Sequence, residues 1–144
     1  MIYAGIDPGK KGALAIVSAA GTEVFAFDKA VYLCVIQRYA PFGLRCCLEK
    51  VHAMPKQGVA STFSFGEAYG WLKGLLDSFG VSYQEIQPER WKKEFGLNTD
   101  KQKSIEVCRQ LFPEADLRPT ERSRVDSDGM AEALLMAEYA RRKL

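Results

Sequence analysis

At 144 residues the chain has the length of about one domain and is too short for two lobes that each bury a core, which excludes most two-domain kinases. Hydrophobic residues make up 47% and charged residues 26%, with enough Leu, Val, Ile and Phe to fill one interior, so wholesale disorder is excluded. The net charge of +2 does not by itself call for a nucleic-acid partner.

Residues 1–27 alternate apolar runs with turn residues: residues 2–6, Asp7-Pro8-Gly9, residues 13–17, Ala20-Gly21 and residues 24–27. This pattern predicts three strands in an antiparallel meander. No basic stretch and apolar segment with a cleavage site precedes the first strand. The apolar runs all break well short of the roughly twenty residues that cross a bilayer. The expectation is an intracellular protein with no membrane partner.

A helical stretch over 29–39 precedes Pro41, and residues 44–51 read as a strand that is apolar until Glu49 and Lys50. Strands apolar throughout are buried on both faces, as in an α/β sheet. Residues 55–62 read as a polar, Gly-containing loop. Phe65, Ala68, Tyr69, Leu72, Leu75, Leu76 and Phe79 then recur at helical spacing. Residues 82–86 form a fifth strand ended by Pro88, and residues 91–95 one or two helical turns. Thr99-Asp100-Lys101-Gln102 has capping-box spacing and opens a helix to Leu111. Pro113 and Pro119 bracket a loop, and a last helix runs over 127–142. Without repeats, low-complexity tracts or linkers, residues 1–144 form a single α/β domain.

Cys34, Cys46, Cys47 and Cys108 lack C-x-x-C spacing, and His52 is the only histidine, so there is no conventional zinc set and reduced, mostly buried thiols are expected. Residues 88–124 carry nine Lys/Arg against seven Asp/Glu, and the chain ends in Arg141-Arg142-Lys143-Leu144. This weak basic footprint fits phosphate contacts and a solvated face alike. Gly66, Gly70 and Gly74 fall every four residues on the helix near Phe65. Each glycine costs a helix about 1 kcal/mol relative to alanine, which calls for close approach by another helix or by the sheet.

Three carboxylate positions stand out. Asp7 ends the first strand, where open α/β sheets carry their sites, although D-P-G is also a common turn. Glu49 interrupts a strand buried on both faces, where an unpaired charge is expensive; it needs a cation or a solvent-facing strand end, and Lys50 or Arg45 offers an ordinary ion pair. Asp128 and Glu132, four residues apart, share a face of the last helix and repel unless a divalent ion sits between them; alternatively Asp126, Ser127 or Asp128 simply caps that helix. Taken together, hard oxygen donors in this order suit Mg²⁺ or Mn²⁺, and two such ions activate a water and stabilise the leaving oxygen of a phosphodiester.

The ordered set of Gly5-Ile6-Asp7-Pro8-Gly9, Leu48 to Pro55, Phe65-Gly66 through Leu75, Trp91-Lys92-Lys93, Asp100-Lys101 with Ser104, and Asp128 to Leu135 resembles the RuvC family of Holliday junction resolvases, and most its phage and plasmid branch. The resemblance covers nearly the whole chain. It implies an RNase H-like mixed five-stranded sheet flanked by helices. It also implies a homodimer that grips a four-way DNA junction and nicks two opposed strands symmetrically, in recombination or repair, with Mg²⁺ and no nucleotide cofactor. The implied catalytic, metal-binding residues are Asp7, Glu49, Asp128 and Glu132; the implied DNA-binding residues are Lys50, His52, Lys92, Lys101 and Lys103, with either Lys101 or Lys103 near the scissile phosphate.

Two departures accompany the match. The bacterial pattern spaces its last two acids three apart, whereas here Gly129 takes the intermediate position, with Asp126 in reserve as a ligand. His52 stands where bacterial relatives carry an aromatic wedge. A nuclease acting on RNA–DNA hybrid or other branched DNA would use the same acids, and an inactive junction-binding protein would keep the basic surface; an actin-like phosphotransferase is disfavoured by length.

Overall fold

The computed structural model describes residues 1–144 and bears out a single sheet of five strands in the order β3-β2-β1-β4-β5. The strands β1 (Tyr3–Asp7), β2 (Ala13–Ser18) and β3 (Gly21–Ala26) form the antiparallel meander. The sheet becomes parallel where β4 (Arg45–Glu49) joins β1 and β5 (Ser82–Ile86) joins β4. Between them run α1 (Lys29–Tyr39), followed by one 3₁₀ turn at Ala40–Phe42, and α2 (Val59–Ser78). After β5 come α3 (Pro88–Glu94), α4 (Lys101–Leu111) and α5 (Asp128–Lys143).

Period-two alternation divides the core between the two faces of the sheet. Ala4, Ile6, Cys46 and Leu48 pack with Tyr32, Ile36, Leu72 and Leu76 from α1 and α2. On the other face Ala13, Ala15 and Cys47 pack with Trp91, Cys108, Leu117 and the α5 residues Met130, Ala133, Leu134 and Ala137. This double burial is what the apolar run of β4 predicts. It also leaves Cys46, Cys47 and Cys108 buried and all four thiols free, with burial pushing Cys47 and Cys108 up to about 12.

α5 is buried continuously from Gly129 to Ala140. It lies so close on β1 that a Cβ on Gly5 would stand 2.1 Å from the Ala133 carbonyl oxygen. Only glycine permits that approach, and the approach brings the α5 N-terminus over the end of β1. Ser127 caps this terminus, accepting from the Met130 amide at 3.2 Å.

Two expectations change and a third narrows. Residues 55–62 are not all loop: α2 begins at Val59, behind Gly58, which offers no side-chain cap. The first turns of α2 escape the apolar periodicity because Val59 and Phe63 face outward, 88% and 73% exposed. The cap of α4 is Asp100 rather than Thr99, its carboxylate accepting from the Gln102 amide at 3.0 Å. Finally, Gly66, Gly70 and Gly74 do not face the sheet; a Cβ on any of them would meet open space.

Candidate active site

Sheet register does most of the work of assembling the acids. β1 and β4 run parallel with Gly5 opposite Cys47 and Ile6 opposite Leu48, the last pair of that ladder, so Asp7 and Glu49 each follow it by one residue at adjacent strand ends. Alternation turns both onto the α5 face, since Ile6 and Leu48 belong to the opposite layer. There α5 supplies Asp128 from its first turn and Glu132 from the next.

Glycine again sets the contact. A Cβ on Gly129 would lie 2.3 Å from the Lys11 carbonyl oxygen and 3.2 Å from Asp7 Oδ2. Gly12 holds the β1–β2 turn as tightly, its Cβ position falling 1.8 Å from the Asp7 carbonyl oxygen. The intermediate position in the acidic spacing is therefore a packing requirement, with Asp128 and Glu132 left on either side of the contact.

Electrostatically the site carries excess negative charge. Burial, and then Glu49, Glu132 and Asp128, raise the Asp7 carboxyl well above the usual range, with Lys101 opposing. Burial also raises Glu49 and Glu132. Asp7 makes neither a hydrogen bond nor an ion pair with another side chain. Asp128 takes Lys101, Nζ to Oδ2 3.3 Å, and Glu132 takes Lys92, Nζ to Oε1 4.0 Å. Glu49 Oε2 accepts from the Trp91 indole Nε1–H at 2.8 Å. The Tyr32 hydroxyl, buried without a partner, feels the Asp7 charge from the opposite layer.

A cavity of about 630 Å³ opens over this end of the sheet, lined by Asp7, Asp128, Glu132 and Lys101, together with Lys10, Lys11 and Lys29. Phe65 separates it from a second cavity of about 520 Å³ that holds Lys50 and His52. The structure thus brings Asp7, Glu49, Asp128, Glu132, Lys92 and Lys101 together, with Lys50 and His52 next door. Lys103 is exposed on α4 and pairs with none of these acids, so of the two lysines Lys101 is the one at the site. Asp126 is withdrawn from it: Arg109 Nη2 holds its Oδ2 at 2.6 Å. The Arg141-Arg142-Lys143 tail is also elsewhere, tied to Glu138 and Glu94 at the far end of α5, where Arg45 at the start of β4 donates to the Leu144 carbonyl oxygen.

Sequence reasoning missed Lys10 and Lys11, which the run following Asp7-Pro8-Gly9 does offer, and Lys29, Phe65 and Trp91, which the three-dimensional arrangement alone places here.

The carboxylates do not stand as a ready cluster of three or more metal ligands, and Lys92, Lys101 and Trp91 each hold one of them. The donor chemistry nevertheless fits a hard divalent ion: the available ligands are carboxylate oxygens, and Asp7 is a buried charge lacking a counter-charge of its own.

Against solved structures, a Thermus thermophilus RuvC in complex with a Holliday junction substrate superposes at a TM-score of 0.64 over 99% of this chain and 97% of that one, at 20% identity. A second T. thermophilus RuvC structure gives 0.61 over 99% and 96%, at 23% identity. The fold is that of RuvC. Near-complete coverage on both sides means that the RuvC fold accounts for every element here, including the helix carrying Asp128 and Glu132. No protein-family model matches the chain, and no curated protein matches it in sequence.

Proposed function

We propose that the chain is a Holliday junction resolvase, a structure-selective crossover junction endodeoxyribonuclease that makes symmetric, Mg²⁺-dependent nicks in four-way DNA junctions during recombination or repair. One observation carries this reading: Asp7, without an ion-pair partner of its own, sits at a strand end adjacent to that of Glu49 and against the two acids of α5 on a complete RuvC fold.

Asp7, Glu49, Asp128 and Glu132 would hold Mg²⁺ or Mn²⁺, which when bound, two ions to a site, supplies water activation and stabilises the leaving oxygen. The chain's own groups do the rest. Lys101 and Lys92 neutralise α5 acids in the metal-free site and, once released, present ammonium groups to the phosphate being cut. Lys10, Lys11 and Lys29 extend the positive rim along the strand's path, and Lys50 and His52 continue it beyond Phe65, His52 offering a ring on which a base stacks.

Paired incision requires two sites at fixed separation, which a two-fold dimer provides. The outer face of α2 is suited to it. Val59 and Phe63 are exposed there, and Gly66, Gly70 and Gly74 leave a flat strip on which a second copy's helix can approach closely. No helix of the protein is long and apolar enough to cross a membrane.

A gel assay with a mobile four-way junction, linear duplex and RNA–DNA hybrid, with and without Mg²⁺, tests the reading. Symmetric nicking of the junction alone, dependent on metal, is expected. Preferential cutting of hybrid transfers the same acids to an RNase H-type activity, and binding without cutting makes the protein an inactive junction binder. Near wild-type cleavage by Asp7→Asn/Glu49→Gln would refute the metal assignment.

A further inference from the structure

We propose that Trp91 is a positioning residue: its indole fixes the Glu49 carboxylate in the orientation that binds metal. The inference rests on the site reading above and concerns a residue that enters the sequence resemblance beside Lys92 with no role of its own.

Trp91 is 0% exposed and sits among Cys47, Cys108 and the α5 residues, so packing alone would explain its presence. Its polar atom is what packing does not explain. An indole N–H is a donor only, and a buried one requires an acceptor. Here that acceptor is Glu49 Oε2 at 2.8 Å, a charged oxygen at the end of β4. With Oε2 engaged, the carboxylate cannot rotate freely, and Oε1 is left as the oxygen available to a ligand.

The route that delivers the indole is short and rigid. Glu49 pairs across the sheet with Ile86, the last residue of β5; Pro88 opens α3, and Trp91 follows within its first turn. The next residue, Lys92, reaches Glu132, and its ammonium lies 5.6 Å from the Trp91 ring centroid. Two consecutive residues of a seven-residue helix therefore hold carboxylates from two different elements, β4 and α5. Lys92 must release its carboxylate for a metal to replace its charge. Trp91 has no charge to be replaced, so its hydrogen bond persists in the loaded site. Donors that orient metal-binding groups in this way are typically worth 10–100-fold in metal affinity.

The test uses the full-length protein without DNA. Calorimetric Mn²⁺ titration of wild type and Trp91→Phe, which keeps an aromatic core residue and removes the donor, should show affinity weakened about 10–100-fold. In a Glu49→Gln background the same substitution should cause no further loss, which a merely structural role would not produce. A second measurement needs no change at Trp91. The other tryptophan, Trp71, allows the two indole N–H resonances to be assigned through Trp71→Phe, and the Trp91 resonance should shift during a Mg²⁺ titration with the calorimetric midpoint. Unchanged Mn²⁺ affinity in folded Trp91→Phe, or a Trp91 resonance that stays still while Mg²⁺ saturates the protein, overturns the assignment. A wild-type chain that takes up neither ion refutes the metal reading of the site itself, and this inference with it.

Discussion

Replacing Asp7 with asparagine should stabilise the metal-free protein at neutral pH while abolishing cleavage. Burial raises the Asp7 carboxyl well above the usual range, the three neighbouring acids raise it further, and Lys101 offsets only part. The unfolded chain therefore loses this proton near pH 4 while the folded chain keeps it to higher pH. Between those two values the folded state binds more protons, so stability falls as pH rises through the window and stays low above it. Each pH unit of such a difference is worth about 1.4 kcal/mol, so the margin by which the neutral amide exceeds wild type should widen as pH rises across the window. For a chain of this size each kcal/mol is about 3–4 °C in Tm. Thermal unfolding in chelator should show the gain at about pH 8 and its disappearance near pH 4, where the wild-type carboxyl is itself neutral. Saturating Mg²⁺ should reverse the order, raising wild type by about 2.7 kcal/mol at a hundredfold excess over Kd and the variant by less. An Asp7→Asn protein less stable than wild type at pH 8 in chelator, or equally stabilised at both pH values, would refute the unpaired-charge account.

Lys101→Ala should lower junction cleavage by about 10²-fold in single-turnover assays, by analogy with loss of one charge-stabilising donor, whereas Lys103→Ala should leave it nearly unchanged. Gly70→Leu should weaken dimerisation in sedimentation experiments, and paired nicking with it, more than it alters helical content by circular dichroism, because the position opens to solvent in the single chain. Gly129→Ala should cost on the order of 1–3 kcal/mol in denaturant unfolding and weaken Mg²⁺ binding as well, since the added methyl collides with the Lys11 carbonyl against Asp7.

The legible parts of this protein are those governed by a local period or a local cap. The bounds of α1 and β5 follow from the residue pattern and from the flanking breakers Pro41 and Pro88. Asp7 and Glu49 were legible on local grounds too, Asp7 as the last residue of a strand, at the edge where α/β sheets carry their sites, and Glu49 as a charge in a strand buried on both faces. What stayed hidden depends on which partner is nearest in space. Spacing to Glu132 favours Asp128 over Asp126, but nothing local shows that Arg109 claims Asp126 while the cavity receives Asp128. The terminal arginines looked like a phosphate-binding tail, yet they lie three and four residues beyond Glu138, a helical spacing that ties them to a buried carboxylate far from the site.

The acidic spacing of four shows how the two kinds of information meet. Read as a ligand pattern, Asp128 and Glu132 look displaced around an inert glycine. In the fold, Gly129 is the residue that touches Asp7 and the β1–β2 turn, so no side chain of any kind fits there, and ligands must come from the positions flanking the contact. One turn of helix separates those positions, and Asp128 and Glu132 fill them. The spacing is thus set by how closely α5 lies on β1, a distance that Gly5 controls at one point of the interface and Gly129 at another. Enlarging either glycine should therefore act on the carboxylate geometry without altering a single acidic residue.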